Sequence, residues 1–186
     1  MKAIETSLPG VLVIEPNVFG DERGFFVETY RAGAYAEYGI PEMVQHNQSR
    51  SAKGVLRGIH YQLIQPQGKL VRVASGTVYD LAVDIRVGSP TFGQSFGIEL
   101  DDRTHRQLYV PPGFGHAFAV LSDMADFHYL CTDYYHPASE GSIDPFDRAI
   151  DAGWPTLDTI WKLSSKDQSA PLLAAIDSSL LPAYTG

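Results

Sequence analysis

The sequence predicts a mainly β chain, folded as an antiparallel sandwich or barrel of jelly-roll type with a few short helices. Short runs rich in β-branched and aromatic residues recur along it. Several alternate with period two, and Gly, Pro and Asp turn signals separate them at short intervals. That spacing suits antiparallel strands joined by tight turns. In order, strands are expected at Val11–Ile14, Phe25–Tyr30, Val55–Tyr61, Lys69–Ala74, Thr77–Arg86, Phe96–Leu100, Arg106–Val110, His116–Leu121 and Asp126–Thr132. The run from Val78 to Arg86 shows the alternation best. Val78, Asp80, Ala82, Asp84 and Arg86 share one face, and Tyr79, Leu81, Val83 and Ile85 the other. Turns are marked at Ser75-Gly76, Gly88-Ser89-Pro90 and Pro111-Pro112-Gly113.

Helical pattern is scarce. Gly33–Tyr38 reads as a short helix stopped by Gly39-Ile40-Pro41, and Pro171–Ile176 as a second with proline at an early position. The stretch from Pro137 to Pro155 lacks periodicity and reads as a long loop. Without a repeat, low-complexity tract or linker, residues 1–186 are expected to form one domain.

Composition narrows the function. Fourteen Lys and Arg against 22 Asp and Glu give a net charge of −8, which leaves no electrostatic footprint for nucleic acid or an anionic membrane. A local basic cluster can still hold an anionic small molecule. With 44% hydrophobic and 19% charged residues the chain reads as globular. The lone Cys131 can form neither an internal disulfide nor a thiolate zinc site. No stretch reaches the ~18 apolar residues of a membrane span, and MKAIETSLPG lacks the apolar run of a signal peptide. A soluble, reduced, cytoplasmic protein is therefore expected.

Two of six histidines stand out. His60 ends the apolar run Gly54–Gln62, which also carries a buried-looking Arg57, and His116 follows the turn in Val110–Leu121. The plain reading makes each a satisfied core or strand-end residue. A metal site is disfavoured. Tyr61 and Gln62 follow His60 where a second histidine would be needed, and Lys69 stands where a carboxylate ligand would help. Metal-free proton transfer beside a carbonyl fits better, since it needs a base, an acid on the opposite face and a donor for the enolate oxygen. His60 suits the base and Lys69 the enolate donor, while Tyr129 or Tyr135 could be the acid and a carboxylate such as Asp167 could orient the imidazole. Spacing alone does not select these from 10 tyrosines and 22 acidic residues. Parity adds a condition: Arg57 and His60 face opposite sides of a regular strand, so a shared pocket requires a bulge, for which Gly58 is suited. Arg23 reads as a solvated turn residue or as a guanidinium for a diphosphate. Phe25-Phe26 and Tyr134-Tyr135 read as core.

Taken together, the ordered segments decide between these readings. Asp21–Gly24, Gln45–Ser49, Gly54–Gln62, Val83–Gly93, Tyr109–Phe118, Phe127–Pro137 and Lys162–Asp167 resemble the dTDP-4-dehydrorhamnose 3,5-epimerase family over nearly the whole chain. The resemblance implies a cupin-type jelly roll that converts dTDP-4-dehydro-6-deoxy-D-glucose to dTDP-4-dehydro-L-rhamnose, or, in relatives from antibiotic-sugar pathways, inverts one centre of a related dTDP-4-keto-6-deoxyhexose. It implies His60 as general base, Asp167 as its partner, Tyr129 as proton donor and Lys69 near the C4 oxygen. Arg23, Phe25, Glu28, Gln45, Asn47, Arg57, Lys69, His116, Tyr135, Glu140 and Lys166 match substrate-binding positions. No metal or organic cofactor is implied, and the protein is expected to be a homodimer that exchanges its N-terminal segment. This chain departs from the family pattern at Gly115-His116-Ala117, where Ala-His-Gly is usual, at Leu130, and at Ser142–Asp147. The last two are expected near the sugar pocket or its rim.

Overall fold

The computed structural model describes residues 1–185. Two antiparallel sheets form the jelly roll. The first runs β1(Lys2–Glu5), β2(Leu12–Glu15), β10(Gln107–Val110), β7(Lys69–Ser75), β12(Met124–Cys131) and β5(Gln45–Ala52) in spatial order. The second runs β13(Glu140–Ser142), β6(Leu56–Gln62), β11(Phe114–Val120), β8(Thr77–Asp84) and β9(Ser95–Asp101). A separate hairpin, β3(Val18–Asp21) and β4(Gly24–Val27), pairs only with itself among the described residues. Among the described residues no helix is long and apolar enough to cross a membrane.

Alternation along the strands builds the core in layers. Val71, Val73, Val78, Ala82, Leu108, Phe118 and Phe127 meet between the sheets. The other face of β8 is buried too: Leu81, Val83 and Ile85 pack under Ile143, Ile150, Leu173 and Leu181, supplied by the C-terminal segments. A third cluster, Ile14, Leu70 and Tyr109, is roofed by Tyr35 and Ile40 around the helix α1(Ala32–Ala36). Burying both faces explains why β11 and most of β8 carry apolar residues on either side.

Several expectations are corrected. The hairpin strand expected at Phe25–Tyr30 stops at Val27, and Phe25, Phe26, Tyr134 and Tyr135 are exposed rather than core. Arg57 is exposed as well, opening onto a cavity. The unforeseen strands are β1, β3, β5 and β13. The polar β5, QHNQSRSA, lacks strong β formers and is held instead by its full ladder with β12. The presumed loop after Pro137 contains a short 3-10 turn, Pro137–Ser139, and then β13, which pairs with β6. The helix expected at Pro171–Ile176 is a 3-10 turn over Leu173–Ala175, and a short helix α2(Ser165–Gln168) precedes it.

Candidate active site

A cavity of about 460 Å³ opens between the sheets. Its construction begins with a bulge in β6. His60 pairs with His116 and Arg57 with Phe118, so β6 advances three residues while β11 advances two. Gly58 absorbs the extra residue at φ 109°, and a Cβ there would lie 2.5 Å from the His116 carbonyl oxygen. The bulge cancels the parity of the strand. Arg57 and His60 consequently line one cavity.

His60 Nε2 lies 2.6 Å from Asp167 Oδ1. Asp167 is 3% exposed and stands in α2, where Ser164 caps the helix by accepting from the Asp167 N–H while its own hydroxyl donates to Oδ2. Burial pushes the Asp167 carboxyl up, but the bonds from His60 and Ser164 outweigh it and hold the group below its ordinary range. The segment carrying Asp167 is stapled to β6: the Leu56 N–H donates to the Lys162 carbonyl and the Lys162 N–H to that of Gly54. This staple brings two residues 107 positions apart into contact.

The opposite wall comes from the other sheet. Tyr129 on β12 and Lys69 on β7 both line the cavity. Burial raises the pKa of Tyr129, which keeps its phenol protonated and able to donate. Burial lowers that of the Lys69 ammonium, with Cys131, Asp80 and Glu140 acting in the other direction. Lys69 has no ion pair among the described residues, and a desolvated lysine of this kind is a strong electrostatic partner for an oxyanion. Phe118 and Phe127, stacked with centroids 4.0 Å apart, form an apolar part of the lining. His116 also lines the cavity, and its Nε2 is held 3.0 Å from both oxygens of the fully buried Asp80.

A narrow cleft shares His60 and Lys69 with the cavity and adds Tyr135 and Glu140. Here Tyr135 donates to Glu140, whose carboxylate is also paired with Lys166, while the Tyr135 N–H donates to Gln45. Gln45 in turn donates to Asn47. Burial raises the Glu140 pKa, but Lys166 and Tyr135 more than compensate, leaving it lowered. Three of the sequence-matched residues stand elsewhere: Arg23 pairs with Asp21 on the hairpin, Phe25 packs on His105, and Glu28 pairs with Arg31. None lines the cavity or the cleft of its own chain.

The departures from the family pattern are placed differently from expectation. Leu130 lies on the opposite face of β12 from Tyr129 and packs into the third cluster, away from the cavity. Ser142 pairs with His60 across the ladder, but Ile143 and Asp147 turn into buried positions and do not line the cavity. Gly115 is dictated by space, because a Cβ would lie 2.6 Å from Ile59 Cγ2. Sequence reasoning missed Ser49, Lys162 and Ser164, all of which line the cavity. Only Ser164 carried a legible signal, the Ser164-x-x-Asp167 spacing of a capping box.

The family model described as dTDP-4-dehydrorhamnose 3,5-epimerase matches residues 5–175. The chain belongs to this epimerase family. A dTDP-4-dehydrorhamnose 3,5-epimerase of Salmonella typhimurium is 50% identical over 184 residues, covering 97% of this chain and 98% of that protein. The crystal structure of a dTDP-6-deoxy-D-glucose-3,5-epimerase from Legionella pneumophila, in complex with dTDP-4-keto-L-rhamnose, is 53% identical with a TM-score of 0.96 and covers 100% and 99% of the two chains. A dTDP-4-dehydrorhamnose 3-epimerase of Streptomyces niveus is 42% identical over 99% of this chain and 90% of that protein. The epimerases are isomerases, and the jelly roll is the fold that this chain shares with the Legionella structure.

Proposed function

We propose that this epimerase converts dTDP-4-dehydro-6-deoxy-D-glucose to dTDP-4-dehydro-L-rhamnose by inverting C3 and C5 in turn, within a single domain spanning residues 1–186. The carrying observation is the His60–Asp167 pair on one wall of a cavity whose other wall presents Tyr129 and Lys69. Both carbons flank the C4 ketone. His60 takes the proton from C5 or C3, and the electron pair left behind moves into the C4 carbonyl as an enolate. Lys69 stabilises the oxyanion, and Tyr129 returns a proton to the opposite face. Asp167, held ionised, balances the imidazolium that forms on His60. After the first inversion His60 carries a proton and Tyr129 has lost one, so His60 releases its proton to solvent and Tyr129 takes one back before the second inversion.

The nucleotide end would lie toward Tyr135 and Glu140, with Lys166 paired to Glu140, Gln45 and Asn47 beside them and Arg57 facing the diphosphate. Arg23, Phe25 and Glu28 would reach the site from a second copy. The hairpin that carries two of them pairs only with itself and exposes Phe19, Phe25 and Phe26 at 64%, 61% and 68%, a surface suited to cover by a homodimer partner.

Incubation of the keto-sugar in heavy water, followed by proton NMR, tests the reaction. Deuterium at both C3 and C5, with an L-rhamnose product after reductive trapping, is the expected result. The Streptomyces niveus relative motivates a second reading, inversion at C3 alone. Exchange confined to C3 would establish it, and exchange at neither carbon would overturn both.

A further inference from the structure

Ser49 is the one described residue with a buried side-chain nitrogen or oxygen that has no hydrogen-bond partner. It stands on β5 opposite Phe127 and lines the cavity together with His60, Lys69 and Tyr129. Its neighbours on the same strand face are engaged: Asn47 accepts from Gln45 and donates to the Cys131 sulfur, and Ser51 accepts from Arg57. A buried hydroxyl without a partner destabilises the fold, and folded proteins rarely retain one unless a ligand or water completes it. The residue across the ladder, Phe127, offers the hydroxyl no hydrogen-bonding side chain.

We infer that Ser49 Oγ binds the hexose, donating to a ring hydroxyl at C2 or C3; the inference rests on the epimerase reading for its substrate class. Its position separates it from the nucleoside, because Ser49 lies in the cavity of the acid and base and not in the cleft of Tyr135 and Glu140. A neutral hydroxyl is matched to a neutral hydroxyl, whereas the diphosphate has Arg57 and Lys162 on the cavity lining. Such a contact is present in ground state and transition state alike, so it belongs to binding more than to turnover.

Calorimetric titration of the wild type and Ser49→Ala with dTDP-glucose and with dTDP provides the test. The variant should bind dTDP-glucose about tenfold more weakly, as expected for one lost neutral hydrogen bond, and bind dTDP within twofold of the wild type. KM for the keto-sugar should rise by a similar factor with kcat nearly unchanged, and Ser49→Thr should restore part of the affinity. Thermal unfolding adds a readout that a structural hydrogen bond would move the other way. Removing an unpaired buried hydroxyl should leave Tm equal or raise it. Unchanged binding of both ligands, or equal loss of both, would overturn the inference. If the wild type exchanges no deuterium yet prefers dTDP-glucose over dTDP, and Ser49→Ala abolishes that preference, the epimerase reading fails and the hexose contact stands.

Discussion

Asp167 shows how much of the chemistry depends on one carboxylate being kept charged in a nearly dry place. Only 3% of it is exposed, yet His60 and Ser164 hold it ionised. Asp167→Asn preserves the shape and one hydrogen bond but removes the charge that balances an imidazolium, so kcat should fall by about 10² or more while the fold persists. His60→Ala should cost at least as much. Tyr129→Phe keeps the ring in place and removes the donated proton, and should still release the substrate C–H to solvent deuterium faster than it forms product. Steady-state kinetics beside exchange measured by NMR check all three variants. Equal, undiminished turnover in His60→Ala would refute the assignment of the base. Arg57 makes a related point: an arginine in an apolar run reads as buried, but the bulge turns it into an open cavity.

At the scale of elements, the β6 bulge and the Asp84 turn are the two devices on which the frame relies. Gly58→Ala would place a methyl group 2.5 Å from the His116 carbonyl oxygen at φ 109°, so it should destabilise the protein by about 2 kcal/mol or more and disturb the register of His60. Urea unfolding and kcat together measure both consequences, and a variant of unchanged stability would disprove the bulge. After β8, Asp84 is fully buried and accepts from Arg86, Ser89 and Thr91, closing the turn that leads to β9. Burial alone would raise its pKa, but these bonds outweigh it and bring the carboxyl to about 2. Because the folded value lies below the ordinary value of 3.8, this stabilisation is complete above about pH 4 and vanishes as pH falls through about 2. It amounts to about 2 kcal/mol. Unfolding free energies from pH 6 to pH 2 should therefore slope downward with acid in the wild type, and less steeply in Asp84→Asn.

For the molecule as a whole, the two sheets divide the labour. The five-stranded sheet carries the base and the six-stranded sheet the acid and the oxyanion donor, so the distance between sheets sets the width of the reaction space. The exposed aromatic hairpin lies outside this arrangement and, in the proposed homodimer, is the surface that a second copy would cover. Phe19→Ser with Phe26→Ser should raise the dimer dissociation constant tenfold or more, since each exposed ring would contribute about 1.5 kcal/mol once covered. Sedimentation across a dilution series reads this directly, and activity should fall with the dimer fraction. A wild type that is monomeric throughout, and active, would end the exchanged-hairpin proposal.

Local pattern was legible because it is physically local. Period-two alternation and turn chemistry sufficed for β2, β6–β12 and the antiparallel class, and the ordered segments sufficed for the family. The strands that were missed owe their form to partners: polar β5 is a strand because β12 supplies a ladder, and β13 because β6 does. The same holds for the site. His60 was legible as a base, but its contact with Asp167 exists only because Val55 and Lys162 are bridged across the fold. Ser49 could not be chosen from the sequence, since an unpaired hydroxyl is a property of its surroundings and not of its residue type. The sequence by itself determined the elements, the chemical types available and the family. The tertiary structure decided which groups share a cavity, because burial, strand parity at a bulge and long-range hydrogen bonds arise only when the chain is packed.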